Sequence, residues 1–402
     1  MHFKHFCPVL AFIVVTSVPN LSGEPGAQAA STTGDLRQLA ELTASDSGGV
    51  RDEFGFAIAM SGNTVVGAPF AHGNAGAAYV FVKPASGWTN MTETAELSAS
   101  DSAPNINFGI SVGISGNNIV VGSTAHNAAY VFTQPAGGWK NMTQTAVLSS
   151  TNNGSGSLFG GNVAIDGTTI AVGARDASFN RGRVEVFTEP PGGWVNATTT
   201  AHLTATDTTT NSFFGAGLSV SGSTIVVGAF GNNNDTGAAY VFVKPASGWN
   251  GTHNQTAKLT ASDGVALDFF GDDVAIKGNT IAIGAAGHNN NTGAAYVFVE
   301  PASGWENMTQ NAELTASNGV AGNFVGSGVG VTPTEIAVGA PSNPGPGVVY
   351  TYVKPSTGWK NATETSEVTA TGSQELGSSV AIVGTTVVAG ARASSTAYVF
   401  GP

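Results

Sequence analysis

The sequence predicts an all-β fold, a seven-bladed β-propeller built from four-stranded antiparallel blades. Three observations lead to this prediction: a module recurs seven times along the 402 residues, each module contains four short strand-like runs, and the first and last modules are incomplete in complementary ways. Repetition at a fixed period of about 55 residues indicates stacked supersecondary units. One large repeat domain is therefore expected.

Each module begins with a Phe-Gly pair and carries a second glycine twelve or thirteen residues later. The pairs are Phe54-Gly55, Phe108-Gly109, Phe159-Gly160, Phe214-Gly215 and Phe270-Gly271, with the degenerate copies Val325-Gly326 and Leu376-Gly377. The second glycines are Gly67, Gly122, Gly173, Gly228, Gly284, Gly339 and Gly390. Between them, two apolar runs flank a tight turn such as Gly278-Asn279, which predicts a hairpin of strands one and two.

The third and fourth runs differ in pattern. Ala295 to Val299 is continuously apolar, as the first two runs are, whereas Asn311 to Ala316 alternates. Continuous apolar runs indicate strands covered on both faces, and alternation indicates a strand at a solvated rim. Sheets that stack face to face and expose their outer strand are the blades of a propeller.

Closure of the ring follows from the two incomplete modules. The seventh module stops after its third strand at Ala397 to Pro402, and Leu36 to Leu42 matches the fourth strand of the other modules. We expect the N-terminal strand to complete the last blade, because an unpaired third strand would leave an open edge.

The first 29 residues resemble a secretory signal peptide. Lys4 precedes an apolar run from Pro8 to Val18, and Ala27-Gln28-Ala29 offers a small-residue cleavage site. Residues 30–35 form a linker and residues 36–402 the propeller. The prediction is a secreted, extracellular or cell-surface protein. No run reaches the ~20 apolar residues of a membrane span.

The net charge and the low content of charged residues restrict the classes of partner that the protein can bind. The formal charge is −12 and only 10% of residues are charged, which disfavours nucleic acid and anionic membrane surfaces. Cys7, the single cysteine, lies in the predicted leader. The mature chain therefore lacks disulfides and cysteine metal ligands. The sequence leaves the oligomeric state open.

The Phe-Gly pair followed by Gly-Ala-Pro, complete at Gly67-Ala68-Pro69 and Gly339-Ala340-Pro341, resembles the FG-GAP repeat of integrin α-chain propellers. The resemblance spans Leu36 to Pro402 and is strongest to a secreted, bacterial-type variety. It implies a propeller that works in adhesion or ligand binding. Blades of the integrin type often carry an Asp-rich calcium loop between strands one and two, and here that connection is a short turn. We therefore expect no cofactor and no family calcium site.

Six tryptophans follow glycine in the connection between strands three and four: Trp88, Trp139, Trp194, Trp249, Trp305 and Trp359. They either form sugar-stacking platforms or clamp each connection against its blade. Clamping is favoured, because Trp buries a large apolar area wherever it can.

Acidic residues follow several fourth strands, at Asp46, Asp101, Asp207 and Asp263. Asp at such places either joins a metal site or starts a turn by bonding its own backbone, and the turn is favoured. The prediction for metal is none. If one binds, the candidates are the clustered residues of blade five, Asp263, Asp268, Asp272 and Asp273.

N-glycosylation sequons recur after the tryptophans, at Asn90, Asn141, Asn196, Asn307 and Asn361, and another lies at Asn254. They are glycosylation acceptors only in a eukaryotic secretory host. We interpret them as products of the repeat.

The histidines are scattered, and no nucleophile elbow or metal-ligand spacing appears. Blade three breaks the repeat with Arg175, Arg181 and Arg183, and blade six with Pro341 to Pro346, but neither break adds an acid/base pair. We therefore expect a non-enzymatic binding or adhesion module with a glycan or extracellular protein ligand. The alternative is a secreted propeller hydrolase or lyase that acts on polysaccharide.

The binding face follows from topology, since the strand two to three loops and the connections between blades share one end of the sheets. These are also the most variable segments, and variable loops on a rigid scaffold carry recognition. The predicted ligand-binding residues are Asn232, Asn233, Asn234, His288, Asn289 and Asn290. The alternative is that these loops drift without a function.

Overall fold

The computed structural model of the chain describes residues 36–46, 53–69, 76–101, 103, 106–151, 156–342 and 345–402. The predicted signal peptide, 1–29, and the linker, 30–35, lie outside these residues. The described residues form seven β-sheets. Each inner strand packs beside the inner strand of the next blade, and the inner strand of blade seven packs beside that of blade one. The ring is closed, and the predicted seven-bladed propeller is confirmed.

Blades one to three contain four antiparallel strands each, ordered from the channel outward. Blade one has Ala57–Ser61, Thr64–Ala68, Ala78–Val82 and Ala95–Ser98. Blade two has Phe108–Ser115, Asn118–Ser123, Ala128–Thr133 and Ala146–Ser149. Blade three has Phe159–Asp166, Thr169–Ala174, Val184–Thr188 and Ala201–Thr204.

Blades four to seven follow the same plan. Blade four has Leu218–Ser221, Thr224–Ala229, Ala238–Val243 and Ala257–Thr260. Blade five has Val274–Lys277, Thr280–Ala285, Ala294–Val299 and Ala312–Thr315. Blade six has Gly328–Val331, Glu335–Ala340, Val348–Val353 and Ser366–Val368. Blade seven has Leu376–Val383, Thr386–Ala391, Thr396–Gly401 and the N-terminal Arg37–Thr43.

Burial follows the predicted pattern. In blade five the second strand is buried throughout and the outer strand alternates between buried and half-buried residues. Ala312 and Leu314 face the core, whereas Glu313 and Thr315 lie toward the rim. The hairpin between the first two strands pairs Lys277 with Thr280, so its turn has two residues, which confirms the predicted tight turn.

The N-terminal strand closes blade seven as predicted. It pairs antiparallel with the third strand, with Glu41 opposite Tyr398 and Leu42 opposite Ala397. Ala40 and Leu42 are fully buried within the apolar cluster that contains Val399. The strand therefore removes the open edge that Thr396–Gly401 would otherwise present.

A fifth, parallel strand was missed by the sequence analysis. In six sheets the outer strand also pairs with a short segment, here called a strap, from the connection between the third and outer strands of the following blade. The straps are Met91–Thr92, Met142–Thr143, Ala197–Thr198, Gly251–Asn254, Met308–Thr309 and Ala362–Thr363. The straps tie neighbouring blades together at the rim and cover backbone groups that an edge strand leaves unpaired.

The sequon asparagines have their explanation in these straps. Asn307 Oδ1 accepts a hydrogen bond from the Lys258 amide of the preceding blade at 2.7 Å. On the other side of the strap, Gln310 Oε1 accepts one from Ser262 at 2.9 Å. Asn90, Asn141, Asn196 and Asn361 accept the equivalent amide hydrogen bonds. The recurrence of these asparagines follows from satisfying backbone donors, which agrees with their interpretation as products of the repeat.

At six of the seven blade interfaces, the second glycine of one module meets the first glycine of the next. A Cβ added to Gly228 would lie 1.8 Å from the carbonyl oxygen of Gly271 in the next blade, and Gly271 itself has φ +92°. At Gly228 there is no room for a side chain, and at Gly271 the positive φ disfavours any residue other than glycine. The paired glycines therefore let the blades approach at backbone distance near the channel.

Candidate functional site

One end of the propeller carries the loops between the second and third strands and the connections between blades. This end is called the loop face. In blades three, four and five the loop contains a short helical turn, Ala177–Asn180, Asn232–Asp235 and His288–Asn291. Three consecutive residues of each turn have positive φ, as at Asn233, Asn234 and Asp235. These turns are left-handed.

The left-handed backbone explains part of the asparagine content. Among residues with a side chain, Asn is one of the few that visit this conformation routinely. Asn289 has φ 49° and ψ 56°, and Asn290 has φ 59° and ψ 46°. From the sequence these asparagines were predicted to bind a ligand, with loops that drift without a function as the alternative. The backbone requirement is a further reason for their presence.

The structure divides the six predicted binding residues into two groups. Asn233, Asn234, Asn289 and Asn290 are exposed on the loop face. Asn232 is buried and donates from Nδ2 to the Tyr240 hydroxyl at 3.2 Å. His288 is half-buried and its Nδ1 lies 3.1 Å from Asp268 Oδ2. Asn232 and His288 are thus held by the protein and are not free surface donors as the sequence suggested.

Each turn is anchored on the connection that follows it. The Phe269 amide donates to Asp235 O at 2.9 Å, and the Phe324 amide donates to Asn291 O at 2.9 Å. Phe213 stacks on Phe230 with ring centroids 4.9 Å apart. The loop face is therefore a set of braced turns.

Exposed apolar side chains are concentrated on this face. Of the six large apolar side chains that are exposed among the described residues, four lie there: Phe179, Val265, Leu267 and Val320. Phe179 is 85% exposed and occupies the left-handed turn of blade three, with φ 61° and ψ 49°. Leu267, 57% exposed, has φ 73°. Large side chains rarely adopt this backbone region, and these two bury little in return.

The tryptophans lie at the opposite end and are buried. Trp194 and Trp249 are 3% exposed, and Trp88, at 9%, is among the most exposed of the six. Trp305 packs in the cluster of Leu259 and Phe298, which spans blades four and five. The rings clamp the blades as favoured, and none presents a face for stacking on a sugar.

The aspartates that follow outer strands bond tyrosines of the next blade. The Tyr79 hydroxyl donates to Asp46 at 2.7 Å, and the Tyr240 hydroxyl donates to Asp207 at 2.7 Å. Asp101 accepts from Tyr130 at 3.0 Å in the same way. These carboxylates therefore join neighbouring blades as well as occupying turns.

Blade five differs, because a histidine and three carboxylates meet there. His288 Nε2 lies 3.8 Å from Asp263 Oδ2 and 3.9 Å from Glu313 Oε1, while Nδ1 faces Asp268. Burial and the charge of Asp263 raise the pKa of Glu313, and His288 partly opposes the shift. Within the described ranges, Asp263, His288 and Glu313 are the one set of three such side chains whose ligand atoms lie within 4.8 Å of one another.

The four acidic candidates of blade five do not share these contacts. Asp263 and Asp268 face His288, whereas Asp272 and Asp273 are buried just before the inner strand. Asp273 accepts amide hydrogen bonds from Val274 at 2.9 Å and from Val329 in the next blade at 2.7 Å. Burial raises the pKa of Asp272 to about 7, with Arg175 opposing. The four candidates therefore divide into two pairs with different contacts, and the predicted group did not include Glu313 or His288.

Comparisons with known proteins agree with this architecture. The sequence profile described as FG-GAP repeat matches residues 36–81, 91–132, 142–187, 197–242 and 253–298, together more than half of the chain. No curated protein gives a significant match. Among solved structures, the chain is similar to the computationally designed Ika8 protein, with a TM-score of 0.51 and 14% identity over 92% of this chain and 100% of that chain. That likeness concerns the fold. No helix among the described residues is long and apolar enough to cross a bilayer.

Proposed function

Because the chain belongs to the FG-GAP repeat family, we propose that it is a non-enzymatic binding propeller that acts outside the cell. The ligand is a glycan or an extracellular protein, and this ligand contacts the loop face of blades three to five. The observation that carries this proposal is the concentration of exposed apolar side chains there, beside the exposed asparagines. Export rests on the predicted signal peptide.

The side chains of the loop face suit a ligand that presents both apolar and polar groups. Phe179 and Leu267 offer apolar area, and neutral amides such as Asn233 and Asn289 offer both donors and acceptors. Exposed apolar residues rimmed by polar ones are typical of interaction sites. The braced left-handed turns support recognition, because a surface that is ordered before binding loses little conformational entropy on association.

The test is a binding screen of the mature protein against glycans and matrix proteins, followed by variants of the loop face. Phe179→Ser removes the most exposed apolar side chain. The double change Asn233→Gly with Asn234→Gly removes two amides and keeps the left-handed turn, which glycine adopts freely. Each is expected to lower affinity at least tenfold for the ligand found, while circular dichroism and thermal unfolding stay near those of the parent.

Val195→Ser is the matched control, since Val195 is 56% exposed beside the buried Trp194 at the opposite end. It should bind like the parent, whereas Trp305→Ala should weaken folding more than binding. Loss of binding in Val195→Ser, with normal binding by the loop-face variants, would assign recognition to the tryptophan end. Release of products from a polysaccharide in the same screen would favour the hydrolase or lyase alternative.

A further inference from the structure

Equivalent side chains meet at the rim of several blade interfaces. In blade four the charges of these side chains cancel. There Asp207 accepts a hydrogen bond from Tyr240 and pairs with Lys258, whose Nζ lies 2.5 Å from Asp207 Oδ2. Asn232 donates to the same tyrosine hydroxyl. The chain supplies its own cation at this interface, so the carboxylate is both paired and hydrogen-bonded.

In blade six an asparagine replaces the aspartate, so two carboxylates do not face each other. Asn318 occupies the place of Asp207, accepts from the Tyr350 hydroxyl at 2.7 Å and donates from Nδ2 to Glu367 at 2.8 Å. An amide between the two groups replaces the carboxylate-ammonium pair. Glu367 stands where blade four has Lys258, and it accepts a hydrogen bond from this amide. Blade one has acidic residues at both places, Asp46 and Glu96.

In blade five the residues at both of these places are acidic. Asp263 stands where blade four has Asp207, and Glu313 stands where blade four has Lys258. Neither the ammonium of blade four nor the amide of blade six stands between them. The group that faces both carboxylates is His288 Nε2, at 3.8 and 3.9 Å, which is beyond hydrogen-bond distance. Like charges at this spacing repel unless a cation joins them.

Two further groups point to a ligand at this place. Asp268 is buried, and its Oδ2 lies 3.1 Å from His288 Nδ1. In the tautomer that carries its proton on Nδ1, this contact holds the ring so that the Nε2 lone pair is directed at Asp263 and Glu313. The Tyr296 hydroxyl is fully buried and makes no hydrogen bond to any described residue. This hydroxyl lies beside the carboxylates of Asp263 and Glu313.

We infer that blade five binds one divalent transition-metal ion, with Zn²⁺ the best match, through Asp263, His288 Nε2 and Glu313. A ring nitrogen with carboxylate oxygens is a zinc-type donor set, whereas Ca²⁺ and Mg²⁺ take oxygen ligands. Bonds of ~2.0–2.2 Å place tetrahedral ligands about 3.3–3.6 Å apart, so the observed 3.8 and 3.9 Å need only a small contraction. Asp263, the exposed member, can supply that movement.

The site lies on the loop face, in the same turn as the exposed Asn289 and Asn290, but the inference rests on the contacts of His288 and does not depend on the proposed recognition. Three protein ligands leave one coordination position open for water or an anion. The buried Tyr296 hydroxyl lies beside the same carboxylates and can donate to that group. Asp268 is a positioning residue, because it acts on the metal through the orientation of His288.

The experiment uses tag-free mature protein, cleared of metal with a chelator and titrated with Zn²⁺ by calorimetry. We expect one tight site per chain, with Ca²⁺ and Mg²⁺ unable to compete. Co²⁺ in place of Zn²⁺ should give the visible absorption of a four-coordinate ion. His288→Ala and Glu313→Gln should each lower Zn²⁺ affinity at least 100-fold, and Asp268→Asn about 10- to 100-fold.

The matched control is His126→Ala in blade two. His126 lies 3.4 Å from Asp101, but the outer-strand residue of that blade is Val147. This variant should bind Zn²⁺ like the parent. The inference is overturned if the parent takes up no stoichiometric Zn²⁺, if binding survives in both His288→Ala and Glu313→Gln, or if His126→Ala removes it. Circular dichroism of each variant without metal separates loss of the site from loss of the fold.

Discussion

The latch strand Arg37–Thr43 offers a direct test of ring closure. Leu42 is fully buried and shares an apolar cluster with Val399 and Phe400 of the third strand of blade seven. Replacing a buried leucine with alanine costs about 2–5 kcal/mol, because the transfer free energy is lost and a cavity remains. Leu42→Ala should therefore destabilise the whole protein, even though Leu42 lies in the N-terminal strand, far in sequence from the rest of blade seven.

Guanidinium denaturation measures this loss. With an m value of about 4–6 kcal/mol/M, a destabilisation of about 3 kcal/mol lowers the midpoint by about 0.5–0.75 M. Gln38→Ala changes an exposed residue of the same strand and should leave the midpoint within about 0.1 M, since surface changes are usually worth less than about 0.5 kcal/mol.

Deletion of Leu36 to Leu42 should have a larger effect, because it exposes the hydrogen-bonding edge of Thr396–Gly401. We expect a lower midpoint and concentration-dependent association through the free edge, measured by light scattering. A truncated protein that unfolds at the same guanidinium concentration as the intact mature chain, and stays monomeric to the same degree, would refute closure by this strand.

Three further changes test single groups. Asp272 has its pKa raised from 3.8 to about 7 by burial, so the folded state alone holds this proton between about pH 4 and 7 and stability falls as pH rises through that window; Asp272→Asn should flatten the fall in melting temperature. Gly284→Ala places a Cβ 1.9 Å from a carbonyl oxygen of the next blade and should abolish soluble folding, whereas Gly278→Asn, at an open turn with φ +58°, should melt like the parent. Arg183→Met leaves the buried Glu185 carboxylate without its 2.8 Å partner and should cost about 3–5 kcal/mol in urea unfolding; adding Glu185→Tyr, the residue of most other blades, should recover most of that loss.

The repeat predicted the fold because each module carries a complete set of strand patterns, and seven copies leave one arrangement that buries them all. The straps could not be predicted in the same way. Met308–Thr309 is a two-residue strand and has no periodicity that a pattern could detect. Its signal was the asparagine before it, which was recognised as part of a recurrent sequon and interpreted as a product of the repeat.

The blade-five cluster was missed for a different physical reason. Glu313 belongs to a Thr/Asn-Ala-Glu-Leu run that other modules share, so by itself it is an ordinary rim residue. Its surroundings become unusual only when Asp263 and His288 face it. Comparing aligned positions between modules would not have been enough, because blade one has the same acidic pair, Asp46 and Glu96. Among the described residues, the approach of His288 to both carboxylates is what distinguishes blade five.

The main contacts that hold the ring do not involve the exposed side chain of Phe179, and this bears on function. Blades are joined by paired glycines near the channel, by buried tryptophans and by straps at the rim, none of which needs the side chain of Phe179. A left-handed backbone costs a residue with a side chain on the order of 1–2 kcal/mol. Phe179, 85% exposed, recovers none of this by burial. Burying such a side chain against a partner returns about 1.5–3 kcal/mol. Backbone hydrogen bonds such as that from the Asn211 amide to Phe179 O hold the turn in the free protein. A partner that buried the exposed ring would add its burial free energy to these bonds, which supports the recognition proposed for this face.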